Sequence, residues 1–369
     1  MANAFSGARY TVTRKERSED ERPRLAMLRI SISQCRGAAH TSAHTSAHTS
    51  AALAPPRPAR TDPVRDWSAM AKPRVVNLDD ELKKVPALKR EHVDQLREWV
   101  RKQPHLPEVP DHQLLLFLAC SDCLMERAKV TLEAHYTIKT HAPEFFGHRD
   151  PLHDDIQNIL NVVEMAILPE PDRKGHRIFI GRLANTDPAQ YNFIAAVKAM
   201  QLVIETSLRE EGATPGYVFV YDQRGVQLGH VARMPLAAVR KYLTYIQEGL
   251  PIKMKAIHLV NMNPVGERFL NMIKPFMKKE IYNLLNFYSG GYEGLYEHIP
   301  KSSLPRDYGG TQDTMLTLHH LQKSKVEAHR EWFLKEPTLR VDEARRPGKQ
   351  QNAGSVFGME GSFKKLELD

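Results

Sequence analysis

The pattern of this 369-residue chain predicts an α/β fold, with a small N-terminal helical bundle followed by a layer of mainly parallel strands. Three observations carry that expectation. From Leu82 to Phe145 apolar residues recur at helical spacing with no β-rich run among them. Runs rich in Val, Ile, Tyr and Phe follow at 177–183, 217–222 and 252–261. Long helical stretches at 189–209 and 235–248 separate those runs, an alternation that joins parallel strands by crossovers.

Residues 1–69 stand outside the pattern. They hold a thrice-repeated Ala-His-Thr-Ser from Ala39, a Pro-rich patch at 55–63 and no sustained periodicity, and so read as a disordered extension. His40, His44 and His48 have no helix to hold them and read as low complexity rather than as a metal site. From Met70 the chain reads sensibly by itself, which makes residue 70 a candidate translation start that intact mass of the native protein decides.

Residues 70–150 are the expected helical module. Leu82, Val85, Leu88, Val93, Leu96, Trp99 and Val100 mark apolar faces interrupted near Pro86, and a longer helical stretch runs from about Ser121. Cys120 and Cys123 have Cys-x-x-Cys spacing but no second pair, so they read as buried thiols. With Cys35 they are the three cysteines of the chain, too few for a disulfide framework, which suits a reducing compartment.

Residues 151–310 are the expected α/β domain, and 311–369 a tail that is partly helical and then disordered. Strand alternation puts Phe219 and Tyr221 on one side of the sheet, with Ile257 and Leu259 on one side of the next strand. Helical spacing groups Ala196, Ala199, Met200 and Val203, and separately Tyr242, Tyr245 and Ile246. These faces fit a filled core or a cavity wall. After the strand at 252–261, Asn263 can cap a helix, Pro264 suits its first position and Glu267 favours the positive end of its dipole. Val265, Phe269, Met272, Ile273 and Phe276 form its apolar stripe, opposite Glu267, Arg268, Asn271 and Lys274. Pro275 is expected to break it, with a second helix running to about residue 288. Asp222-Gln223-Arg224-Gly225 reads as a turn, and His230 and His258 as core histidines.

The strand wording Lys-Ala-Ile-His-Leu-Val-Asn at 255–261, Met-Ile-Lys-Pro-Phe-Met at 272–277 and Leu-Pro-x-x-Tyr-Gly-Gly at 304–310 together resemble the CRAL-TRIO lipid-binding family. The likeness is to its animal branch, that of alpha-tocopherol transfer protein and cellular retinaldehyde-binding protein, and covers roughly residues 82–310. Upstream, Phe117-Leu118-Ala119-Cys120 and Glu126-Arg127-Ala128-Lys129 are similar to the family's helical module, although the branch's usual arginine is Ala119 here. The resemblance implies an open sheet face forming a lipid cavity beneath a helical lid. It implies that Ala196, Ala199, Met200, Val203, Phe219, Tyr221, Tyr242, Tyr245, Ile246, Ile257, Leu259 and Ile273 line it. Ala199 and Val203 stand where tocopherol-type pockets offer small hydroxyls, leaving the phenols of Tyr221, Tyr242 and Tyr245 for a ligand's polar end. Lys253 and Lys255 match basic positions that bind phosphoinositide headgroups in that branch. Two further such positions are Glu280 and Leu284 here, so the expected site, which also takes in Lys274, is complete only if Lys278 and Lys279 substitute for them.

Charge and motif content narrow the function. Of the net charge of +8, a surplus of five falls in residues 1–69, leaving three for the rest, and no basic face interleaved with aromatics argues for nucleic acid. The longest apolar run, 114–120, is far short of the roughly 20 residues that span a bilayer, and residues 1–10 lack a secretory signal's apolar stretch. No Gly-x-Ser-x-Gly elbow, phosphate loop, dinucleotide fingerprint or His-Glu-x-x-His occurs. The expectation is a soluble, cytoplasmic, monomeric, non-enzymatic lipid carrier without cofactor or metal. It would hold one hydrophobic small molecule or lipid and touch phosphoinositide membranes transiently. A phosphoinositide-sensing adaptor using the polar, Gly-rich residues 340–369, or a lipid esterase, are the alternatives.

Overall fold

The computed structural model describes residue 73 and residues 75–358. The expected extension, its histidine repeat, the candidate start at Met70 and Cys35 lie outside the described residues.

Six helices open the described chain: α1 (Leu78–Lys84), α2 (Arg90–Arg101), α3 (Asp111–Cys120), α4 (Met125–His141), α5 (Pro143–Phe146) and α6 (Asp154–Leu160). Asn77 starts α1 by accepting from the Asp79 amide at 2.7 Å, and the Glu81 carboxylate accepts the Ala213 amide, which ties this helix to the α/β part. Val93, Leu96, Leu114, Leu115, Phe117 and Leu132 bury completely or nearly so, making the module's core from the expected apolar faces. Cys120 and Cys123 are free, half-buried thiols; burial raises Cys120 to about 11, and its Sγ donates to the Phe117 carbonyl.

The α/β part runs β1 (Val163–Ile167), β2 (Arg177–Leu183), α7 (Phe193–Glu211), β3 (Tyr217–Asp222), α8 (Leu228–Ala232), α9 (Leu236–Glu248), β4 (Met254–Val260), α10 (Pro264–Ile273), α11 (Lys279–Tyr282) and β5 (Leu285–Tyr288). The strands lie in sequence order, with β2 to β5 parallel and β1 antiparallel to β2. β5 overturns the expected second helix to residue 288. Only one helical turn, α11, precedes a strand in which Leu285 pairs with Ile257 and Tyr288 with Val260. Four residues of β-prone sequence beside an open parallel edge gain more by completing β4's backbone bonds than by extending a short helix.

The described residues end with α12 (Met315–Ala328), α13 (Arg330–Lys335) and α14 (Ala353–Val356). Helix α12 covers β1's free edge: His319 Nδ1 accepts from the Met165 amide at 3.1 Å, and Gln322 Oε1 from that of Ile167 at 3.2 Å. The polar stretch beyond residue 335 is not disordered as far as residue 358. It holds short helical turns and buries Val341 and Phe357 against the main core.

The two sheet faces differ in use. Ile178, Ile180, Val218, Val220 and Val260 pack with Leu295, Ile299, Leu304, Tyr308 and Leu318 in a filled layer. The opposite face turns Phe179, Phe219 and Ile257 toward α7 and α9.

Candidate ligand-binding site

Parallel register builds the floor of a cavity of about 340 Å³. Phe179, Phe219, Ile257 and Leu285 pair across β2 to β5 in one row, and Gly181, Tyr221 and Leu259 in the next. All of them line the cavity. The Phe219 and Tyr221 rings stack at 6.3 Å, and a side chain at Gly181 would press on Phe179 at 3.2 Å, so glycine keeps this part of the floor low.

Helix α7 contributes Phe193, Ala196, Val197, Met200 and Ile204 to the wall. Ala199 and Val203 do not line it. Each precedes a lining residue by one position, which turns it about 100° around the helix, and both are buried in the surrounding core. Helix α9 presents Val239, Tyr242, Leu243 and Ile246. Tyr245 also departs from the expected wall: it packs on Phe146 at 4.6 Å and His135 at 5.8 Å, joining α9 to the helical module. Of the twelve expected lining positions, Ala196, Met200, Phe219, Tyr221, Tyr242, Ile246, Ile257, Leu259 and Ile273 are brought to the cavity.

The roof is α10. Asn263 caps it, accepting from the amides of Val265 and Gly266 at 3.0 and 2.9 Å, while its Nδ2 donates to the carbonyls of Gln223 and Val226. Phe269 and Ile273 face inward, together with Gly266 and Leu270. Val265, Met272 and Phe276 belong to a neighbouring stripe: Val265 and Phe276 are half-buried off the cavity, and Met272 is 38% exposed. A tight turn at Lys274–Phe276 ends α10 at Pro275, where the Gln247 amide donates to the Phe276 carbonyl.

Polar groups on the wall are few. Arg182 and Asp222 are its charged residues, and both are spent: Arg182 on Glu164 and Asp307 at 2.6 and 2.9 Å, Asp222 on Arg224, Asn261 and Tyr308. The Tyr308 hydroxyl donates to Asp222 at 2.9 Å, so the Leu-Pro-x-x-Tyr-Gly-Gly ending clasps the end of β3. The Tyr242 hydroxyl pairs with the Gln201 amide at 2.7 Å, whereas that of Tyr221 finds only the Met200 thioether at 3.3 Å. Sequence reasoning missed Phe179, Tyr191, His230, Leu270 and Ile281, all on the wall. Phe179 was legible by alternation, and Leu270 by its spacing from Gly266 and Ile273. Tyr191 and His230 come from a loop and a five-residue helix with no period to announce them.

The expected lysines fall at the start of β4 and on the turn and helix that precede β5. Lys253 and Lys255 stand at the start of β4, with Lys255 exposed in a bulge opposite Tyr217 and Val218, and α11 leads into the neighbouring parallel strand β5. Lys253 pairs with Asp122 and Lys278 with Glu248, while Lys274 lies 4.5 Å from the Tyr282 ring.

Residues 162–310 match the model of the CRAL/TRIO domain. That match spans 149 of the chain's 369 residues. Residues 85–156, the helical module, match the Pinta-like UBA domain model. The chain is 28% identical over 253 residues to "Alpha-tocopherol transfer protein-like" of Mus musculus, covering 68% of this chain and 73% of that one. It is 29% identical over 240 residues to the Homo sapiens protein of that name, covering 64% and 70%. "Clavesin-1" of Xenopus laevis is 20% identical over 234 residues, covering 63% and 70%. No helix among the described residues is long and apolar enough to cross a membrane.

Proposed function

We propose that this protein is a non-enzymatic carrier that holds one hydrophobic ligand beneath α10 and exchanges it at phosphoinositide-containing membranes, in the cytoplasm. The observation that carries this reading is the cavity itself: about 340 Å³ of apolar space whose charged residues are all ion-paired, in the size range of small-molecule sites. A ligand there gains burial without displacing a catalytic apparatus. The mammalian relatives' names favour a tocopherol-like lipid, and retinoid-like or phospholipid-like ligands are the other candidates. Exposed Lys255, Lys274, Lys278 and Lys279, with Lys253, supply the membrane contact, each worth roughly 1 kcal/mol near an anionic surface.

Native mass spectrometry of the full chain tests the carrier. One lipid per chain is expected, and Ala196→Trp, which points a large ring into the cavity, abolishes its uptake while circular dichroism stays native. Full uptake by that folded variant overturns the reading. For the membrane step, Lys253→Glu with Lys255→Glu weakens binding to vesicles containing phosphatidylinositol bisphosphate, and the difference shrinks as salt rises. Equal binding at low salt removes these lysines from the contact.

A further inference from the structure

A second, smaller cavity of about 50 Å³ lies where α3 and α4 of the helical module meet the last turns of α7 and helix α13. We infer that it is a binding site for a small oxyanion, a phosphate or carboxylate group, held by Arg209 of α7, Trp332 of α13 and His112 of α3. This goes beyond the carrier reading and does not depend on it.

Two observations carry the assignment. The first is a set of donors without acceptors. Arg209 Nε and Nη1, Trp332 Nε1 and His112 Nε2 are all buried atoms with no hydrogen-bond partner among the described residues, and all three side chains line this cavity. The Arg209 guanidinium lies 4.0 Å from the centre of the Trp332 ring, and His112 meets the same ring edge-on at 6.5 Å, so the three are held together across three helices. Leaving such groups unpaired out of water is costly. An oxyanion answers them, because it brings several acceptor oxygens and a charge opposite to that of the guanidinium.

The second is an imbalance of charge. Glu205 and Glu336, the two carboxylates on the wall, are already shared by Lys139 and Arg149, with Arg340 also on Glu336. Arg209 makes a fourth cation against those two carboxylates. Arg149 is wholly buried, yet its Nε and Nη2 also have no partner among the described residues. Burial lowers the pKa of Arg209, and the Glu205 charge is what opposes it. A bound anion supplies the missing counter-charge, and the cations already on Glu205 and Glu336 offset the repulsion those carboxylates would exert on it. Size limits the ligand. A cavity of about 50 Å³ has room for roughly three or four water-sized groups, enough for an oxyanion head and too little for an acyl chain. His112, Gln113, Arg209 and Trp332 are each half-buried, which gives the ligand a way in from solvent.

Titration calorimetry on the full chain at constant ionic strength tests the site, with inorganic phosphate and formate as probes. At least one should bind saturably, one per chain, and raise the thermal midpoint; phosphate alone assigns a phosphate group and formate alone a carboxylate. Trp332→Phe keeps a ring beside Arg209 and removes only the indole N–H, so it should weaken that binding about tenfold. Arg209→Gln should abolish it, and where that variant does not fold, Trp332→Phe decides. Lys253→Glu with Lys255→Glu should leave it unchanged, which separates this site from the lysines of the sheet end. Saturable binding of neither probe, an unchanged affinity in Trp332→Phe, or loss of binding in the lysine variant overturns the assignment.

Discussion

His135 sits wholly inside the contact between the helical module and α9, edge-on to Phe117 at 5.2 Å and Tyr136 at 4.9 Å, donating from Nδ1 to the Gly249 carbonyl at 2.8 Å. Burial, and then the Lys139 charge, lower its pKa to about 3. His112 and His258 fall to about 4, burial being the main cause in each. The unfolded chain binds these protons near pH 6.5 and the folded chain does not, so the stability they provide is full above that pH and is lost as pH falls toward 3–4. Each fully differential proton contributes a slope of about 1.4 kcal/mol per pH unit. Urea midpoints should therefore drop between pH 7 and pH 5, and His135→Asn should make the drop shallower even though it lowers stability at pH 7. A pH-independent midpoint, or an unchanged slope in the variant, contradicts this account.

Among the elements, α10 is the one on which exchange in the proposed carrier depends. Its inward residue Ile273 is buried and Phe269 and Leu270 are half-buried; at roughly 1.5–3 kcal/mol for a full burial, lifting the helix into water costs on the order of 3–6 kcal/mol, so slow spontaneous release is expected. A bilayer can accept the same face and offset that cost. Met272, half-turned outward at 38% exposure and off the cavity, is the position from which membrane insertion can be perturbed without touching the ligand. Met272→Asp should slow transfer between vesicles several-fold with equilibrium binding unchanged, measured by fluorescent-lipid transfer; equal loss of both would make α10 an ordinary core helix. At the other end, Asn263→Ala removes the cap and both ties to the Gln223 and Val226 carbonyls. Loss of a cap costs about 1 kcal/mol, which is a roughly fivefold faster ligand off-rate by stopped flow. An off-rate identical to that of the native chain would show that α10 opens from its other end.

Across the whole molecule, a buried ion cluster joins segments far apart in sequence. Lys139 of α4 and Arg149 each reach both Glu205 of α7 and Glu336, at 2.8–2.9 Å, and Arg340 adds a contact to Glu336 at 3.1 Å. Glu336 is 2% exposed. Removing one partner of such a cluster strands buried charge and costs about 3–5 kcal/mol. Glu336→Ala should lower the urea-derived stability by that amount, and a loss below about 1 kcal/mol would show that water replaces the carboxylate. Residues 336–358 are therefore part of the folded body: the Gly358 carbonyl accepts from Arg240, whose guanidinium also lies 5.4 Å from the Phe276 ring next to α10.

The sequence by itself determined the α/β class, the helical module, three of the strands and the capped start of α10, because apolar period and capping chemistry are local properties. Strand alternation and helical spacing also grouped the faces that hold nine residues now on the cavity, but only the resemblance, not the period, read those faces as a wall. The tertiary structure alone decided the rest. Residues 285–288 became a strand because β4 offered an open edge, and the C-terminal stretch became ordered because Lys139 and Arg149 await its Glu336. Ala199, Val203 and Tyr245 left the cavity because a buried helix is apolar on several sides, and its periodicity cannot say which side meets empty space. That space depends on how α7, α9 and α10 are held off the sheet, a distance set by packing among residues remote in sequence.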